Sequence, residues 1–216
     1  GGDGRDAVEI VYATGRIFGA LTYTGNKVQD SGFFDEQQAV MGRLATLAWS
    51  DDDAKLVLSV NGTHVFKVGD AAAGPGAVRN ITLSDPPEIT VDNTGTKFIS
   101  TGALNADSVS EWGVEAGGEW RDLYAQAGYF GYSVDQRLSG APTFDFDGWY
   151  AQGTWVLTGE SRGYKSGSAS FVNPVPRHPF SLDDGGWGAW EIAARYSDMN
   201  LNDNPGAVGV SLPTVD

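Results

Sequence analysis

Apolar and polar residues alternate along most of this chain in runs of eight to twelve positions, which sends successive side chains to opposite faces of an extended strand. Residues 110–120 place Trp112, Val114, Ala116, Gly118 and Trp120 on one face, and Glu111, Gly113, Glu115, Gly117 and Glu119 on the other. Residues 190–197 repeat the arrangement, with Trp190, Ile192, Ala194 and Tyr196 opposite Glu191, Ala193, Arg195 and Ser197. Segments 6–14, 55–61 and 149–158 alternate as clearly, the last with Trp149 and Trp155 on one face. Segments 17–24, 40–50, 88–92, 97–104 and 123–134 do so more weakly. About ten strands follow, and helical spacing is nearly absent.

Short connections, at 50–53 and 119–122, alternate with long ones at 25–38, 134–147 and 163–186. This list predicts an antiparallel meander with tight turns on one rim and long loops on the other. Gly1-Gly2 and residues 211–216 read as cut ends, so one domain over residues 1–216, incomplete at both ends, is expected.

The apolar face decides what kind of sheet this is. A soluble core favours branched aliphatics at high density, whereas this face is built from Trp, Tyr, Ala and Gly. Trp112 and Trp120 lie about 26 Å apart along a strand at ~3.3 Å per residue, or roughly 20 Å along a membrane normal at a tilt of about 40°. Rings at that spacing suit the two edges of an outer-membrane apolar band, with Trp149, Trp155, Trp190 and Tyr196 as further girdle candidates. The opposite face needs water, which the lumen of a closed barrel supplies while leaving no backbone edge in lipid. The expected fold is an all-β, antiparallel transmembrane β-barrel. Trp149 and Trp155, on one face of their strand, would also suit the stacking of sugars in a soluble or surface carbohydrate-binding module, which is the alternative reading.

Charge and composition narrow the function. Fourteen Lys and Arg against 28 Asp and Glu give a net charge of −14, a surface that repels nucleic-acid phosphates. With no cysteine, disulfides, thiol nucleophiles and thiolate metal sites are excluded. The apolar stretch at 44–49 is far short of the roughly 20 residues of a spanning helix.

Three motifs bear on chemistry. Gly159-Glu-Ser-Arg-Gly163 matches G-x-S-x-G, but the residues after Ser161 have no helical period and the only later histidine, His178, sits beside Pro179, so a nucleophile elbow is not expected. Residues 198–203 begin like a calcium loop, yet Asp203 stands at the glycine position and Gly209 at the bidentate acid; this segment and Asp51–Asp53 read as solvated turns. His64 and His178 lack a spaced partner for zinc. No enzyme chemistry, metal or cofactor is expected.

Several segments in one order resemble the phosphate-selective porin O and P family of Gram-negative outer membranes. They are Pro87-Glu88, Thr101-Gly-Ala-Leu104, Trp112-Gly-Val-Glu115, Gly148-Trp-Tyr-Ala-Gln152, Leu157-Thr-Gly-Glu-Ser-Arg-Gly-Tyr164 and Ala189-Trp-Glu-Ile-Ala-Ala-Arg-Tyr-Ser197, covering roughly residues 84–203. Residues 1–83 agree only as hairpin strands. The resemblance implies a trimeric barrel of about sixteen strands, of which this chain would hold nine or ten. It also implies an outer-membrane location, contact with lipid, and passive conduction of small anions such as phosphate or of other hydrophilic solutes. Pro86 stands where the family pattern has a basic residue before Pro-Glu.

Lumen candidates on the polar faces are Lys55, Arg162, Arg195, Glu111, Glu115, Glu119 and Glu191. Lys55 follows the Asp51–Asp53 turn and is placed near a rim, and Arg162 is expected to tie its loop to Glu160 or to backbone carbonyls. Together with Glu9, the carboxylates outnumber Lys55 and Arg195 on these faces, a balance opposite to that of an anion-selective pore.

Overall fold

A computed structural model describes residues 5–27, 37–69, 79–85, 97 and 99–203. Its long strands are β1 (Arg5–Ala13), β2 (Ile17–Lys27), β3 (Gln38–Ser50) and β4 (Ala54–Lys67). Three two-residue strands follow, β5 (Asn80–Ile81), β6 (Ser84–Asp85) and β7 (Ile99–Ser100), then the long β8 (Leu104–Trp120), β9 (Leu123–Gln136) and β10 (Phe144–Val156). The chain continues through the short β11 (Tyr164–Lys165) and β12 (Ser170–Phe171) to the long β13 (Glu191–Asn200). The eight long strands form one antiparallel sheet in the order β1-β2-β3-β4-β8-β9-β10-β13, with β5 added beside β8. The sheet is open among the described residues, with β1 and β13 at its edges.

The alternation predicted from sequence carries across the middle of the sheet, where the registers run without a shift. Ser59 faces Glu115, Glu115 faces Gly128, Gly128 faces Tyr150 and Tyr150 faces Ser197, so one cross-strand row holds residues of one face. Leu56, Leu58, Val60, Trp112, Val114, Tyr129, Trp149, Trp155 and Ile192 stand exposed on the other face. An exposed sheet face this apolar is unlike that of a water-soluble protein.

The polar face is covered at both ends. Toward one rim Val68, Leu104, Ala106, Val109, Val134, Phe144, Phe146 and Leu201 form a buried cluster, with Ile81, Leu83 and Ile99 packed against it. A register shift between Ala106 and Ser108 turns Ala106 and Leu104 toward that cluster. Toward the other rim Phe18, Ala45, Leu47, Val57 and Ala169 form a second cluster, joined by Tyr164 and Phe171. Polar side chains occupy the zone between.

Two expectations are corrected. Residues 97–104 do not form one long strand: Ile99–Ser100 pairs with Ser84–Asp85, and Leu104 opens β8 opposite Ile81. The chain then turns at Gly102 (φ 66°), where buried Thr101 binds Leu83 through backbone and side chain. The connection containing 163–186 belongs to the rim of the tight turns, because strand direction alternates. The turns at 14–16, 51–53 and 121–122 share that rim, and Val156 N donates to Asp122 O (2.9 Å) while Leu157 N donates to Trp190 O (2.8 Å). The segments 88–92 and Pro86-Pro87-Glu88 lie outside the described residues, as do Gly1-Gly2 and residues 211–216.

Candidate functional site

The polar zone is assembled across β3, β4, β8, β9, β10 and β13, one side chain from each strand at a time. On β4 and β8, Lys55 Nζ donates to Glu119 Oε1 (2.7 Å) and Asn61 Nδ2 donates to Glu111 (3.2 Å). Glu115 accepts hydrogen bonds from the Tyr150 hydroxyl, from Gln126 Nε2 (3.2 Å) and from Ser59 Oγ (3.4 Å). Gln126 Oε1 in turn accepts from the Tyr124 hydroxyl (2.8 Å) and Gln152 Nε2 (3.1 Å), and Gln152 Oε1 accepts from Arg195 Nη1 (3.0 Å). The Arg195 guanidinium also lies over the Tyr150 ring at 4.3 Å, a favourable cation–π geometry.

The connection between β10 and β13 folds over this network from the tight-turn rim. Arg162 forms an ion pair with Glu191 and stacks on Tyr124 at 5.0 Å. Arg43 donates to the carbonyls of Ser168 (2.8 Å) and Ala169 (3.4 Å), and Phe171 packs edge-on to Tyr124 at 5.2 Å. A cavity of about 150 Å³ remains beneath the connection, lined by Arg43, Ser59, Glu115, Gln126 and Phe171. That space is large enough for a few water molecules, each needing ~30 Å³.

Lys55, Glu111, Glu115, Glu119, Glu191 and Arg195 all stand on the polar face, and Arg162 reaches it from the connection. Arg162 takes Glu191 as its partner, while Glu160 is bound by the Thr158 hydroxyl and Arg177 N (3.1 Å); the sequence expectation of an Arg162–Glu160 tie is corrected. The sequence analysis missed Arg43, which the weak alternation of 40–50 did place opposite Val40 and Leu44. The neutral linkers Tyr124, Gln126, Tyr150 and Gln152 were likewise not among the sequence candidates; their signal is the alternation within β9 and β10, whose even-numbered positions share the face of Glu115.

The girdle candidates fall at two levels. Trp120 and Trp155 both stand beside Leu123, while Trp112 packs on Tyr129 at 5.6 Å and Trp149 on Tyr196 at 5.3 Å. Near the tight turns, the indole nitrogens of Trp49 and Trp155 donate to Asp51 and Asp122, each at 2.9 Å. Trp190 precedes β13, with its indole nitrogen on Trp187 O (2.9 Å). Apolar rings with one polar end directed at a rim are the pattern of interfacial aromatics.

The other motifs resolve into structure. Ser161 lies in the connection after β10, with no helix behind it, and Asp198 and Asn200 are part of β13. Asp51 Oδ1 accepts from Asp53 N (2.9 Å) and Ala54 N (2.7 Å), closing the turn. These bonds and the Trp49 indole hold the Asp51 carboxyl below the usual carboxylate range, with the indole contributing most.

An exposed apolar sheet face backed by a hydrated, charge-bearing one defines an outer-membrane β-barrel protein. The sequence profile of the family "Phosphate-selective porin O and P" matches residues 12–211, and the chain belongs to that family. The match also reaches into the N-terminal hairpins, where the motifs alone showed only strands. The chain is 32% identical to "Porin O" of Pseudomonas aeruginosa over 103 residues, 48% of this chain and 22% of that protein. It is 32% identical to an "Uncharacterized protein" of Caulobacter vibrioides over 122 residues, 55% of this chain and 23% of that protein. The chain thus spans under a quarter of the curated relatives it matches. Membership places it in the bacterial outer membrane.

Proposed function

We propose that this chain forms a single-domain part of the wall of a passive channel for small hydrophilic solutes, with phosphate and related anions as the solute class the family suggests. The observation that carries the reading is the polar belt. Its charges and amides are held in fixed positions across six strands, under a connection that narrows the space above them. A lumen with fixed charges biases which ions enter, and a narrowed bore brings a passing ion close enough to feel them. Arg43, Arg162 and Arg195 are the cationic contacts an anion would meet. Lys55 and the carboxylates complete the belt, while the tryptophans face lipid and fix the barrel's height. The whole protein assembles as a homotrimer of closed barrels. Permeation needs no bond making, so no catalytic group is assigned.

The test is single-channel recording of the full-length protein in planar bilayers, with the reversal potential read across a salt gradient before and after phosphate is added. Stepwise conductance with phosphate block supports the reading. A protein that folds in water without detergent and gives no steps overturns it.

A further inference from the structure

The carboxylates of the belt are not equivalent. Glu119 lies 2.7 Å from Lys55 Nζ, and Glu191 is paired with Arg162, so each of these pairs sums to no net charge. Glu115 accepts only from Tyr150, Gln126 and Ser59, and among the described residues no Lys or Arg contacts it. Neutral donors leave its charge without a direct ion pair, as Asn61 leaves that of Glu111; Glu115 differs in bordering the covered cavity.

The backbone is arranged for this contact. Gly128 stands between Glu115 and Tyr150 in the cross-strand row, and a Cβ there would lie 2.6 Å from the Tyr150 ring and 3.2 Å from Glu115 Cγ. The glycine lets the two side chains meet across an intervening strand. Glu115 also borders the cavity that Arg43 lines, beneath the covering connection. On the far side, Tyr150 and the Gln126–Gln152 pair stand between Glu115 and Arg195. A negative charge is thus held in the middle of the arginine-bearing belt.

We propose that Glu115 is a selectivity-determining residue of the channel, a fixed negative charge that opposes anion entry at the belt. This rests on the channel reading above. Such a charge makes the pore less anion-selective than its arginines would make it alone, and it disfavours multiply charged anions most.

The experiment compares variants of the full-length protein in planar bilayers. Glu115→Gln keeps the shape and an acceptor for Tyr150 while removing the charge. Its anion-to-cation permeability ratio should rise roughly sevenfold, because one unit charge about 7 Å away in water changes the anion and cation factors ~2.7-fold each in opposite directions, and phosphate should block at lower concentration. Glu115→Asp keeps the charge and should keep the wild-type ratio. The double variant Arg121→Gln with Asp53→Asn removes an exposed neutral pair at the tight-turn rim, outside the belt, and should also leave it unchanged. If Glu115→Gln does not assemble, Glu115→Gln combined with Tyr150→Phe is read in the same way. An unmoved reversal potential on loss of the Glu115 charge, or an equal shift in Glu115→Asp or in the double variant, overturns the proposal while steps persist. Absence of steps in the wild type overturns the channel reading instead.

Discussion

At the scale of single residues, two glycines on opposite faces of the sheet should respond differently to the same added methyl group. Gly128→Ala forces its Cβ against Tyr150 and Glu115, in a place where backbone and ring are both constrained by the row. Such overpacking costs about 1–3 kcal/mol. Gly153→Ala, on the apolar face, meets nothing nearer than Tyr124 O at 3.7 Å and should stay within ~0.5 kcal/mol of the parent, as surface changes do. Urea unfolding of the reconstituted protein measures both. Equal losses would show that the row is not tightly packed at Gly128. Not every contact carries such weight: the pair Arg121–Asp53 (3.2 Å) has both partners more than half exposed, and exposed pairs contribute ~0–1 kcal/mol.

At the scale of elements, the connection over the polar face depends on a few anchors, and one of them titrates. Glu160 is buried, and the Thr158 hydroxyl and then Arg177 N hold its carboxyl below the usual carboxylate value of 4.5. A depressed folded pKa means that the stabilisation is complete above the ordinary value and is lost as pH falls through the folded one. Acidification below about pH 4.5 should therefore loosen residues 157–177, seen as faster hydrogen exchange there. In Glu160→Gln the exchange should be fast at neutral pH as well and lose its acid onset. A second anchor is tested by Arg162→Ala, which leaves Glu191 without its guanidinium and uncovers Tyr124. Trypsin should then cut at Lys165 several-fold faster than in the parent. The strands make an independent prediction about depth: single-Trp proteins retaining Trp120 or Trp155 should be quenched by brominated lipids at one common depth, and those retaining Trp112 or Trp149 at another. One depth for all four would contradict a two-level girdle.

At the scale of the whole molecule, the sheet ends among the described residues in two edges, β1 and β13. Unpaired backbone donors and acceptors cannot remain in lipid at a cost of several kcal/mol each, so a membrane-embedded form needs further strands to close the sheet. The 216-residue chain refolded by itself should accordingly give no stepwise conductance, and the full-length protein should. Steps from the isolated chain would mean that it closes, alone or with copies of itself.

The sequence by itself determined the element type and the assignment of faces. Period-two alternation reaches every long strand, and a one-residue error would have put Glu115 in lipid. The strand ends were less legible. β8 begins at Leu104, well before residue 110, because beyond Val109 the inward residues become apolar under a covering loop and the two faces no longer contrast. Family motifs were legible because their residues are close in the chain, whereas the partners of Arg162 and the inward position of Arg43 depend on which loop crosses which strand. Only the tertiary structure decided which carboxylates are neutralised. Charge pairing is set by distances of a few ångströms between strands far apart in sequence, and alternation fixes the face of a side chain but not the neighbour it meets.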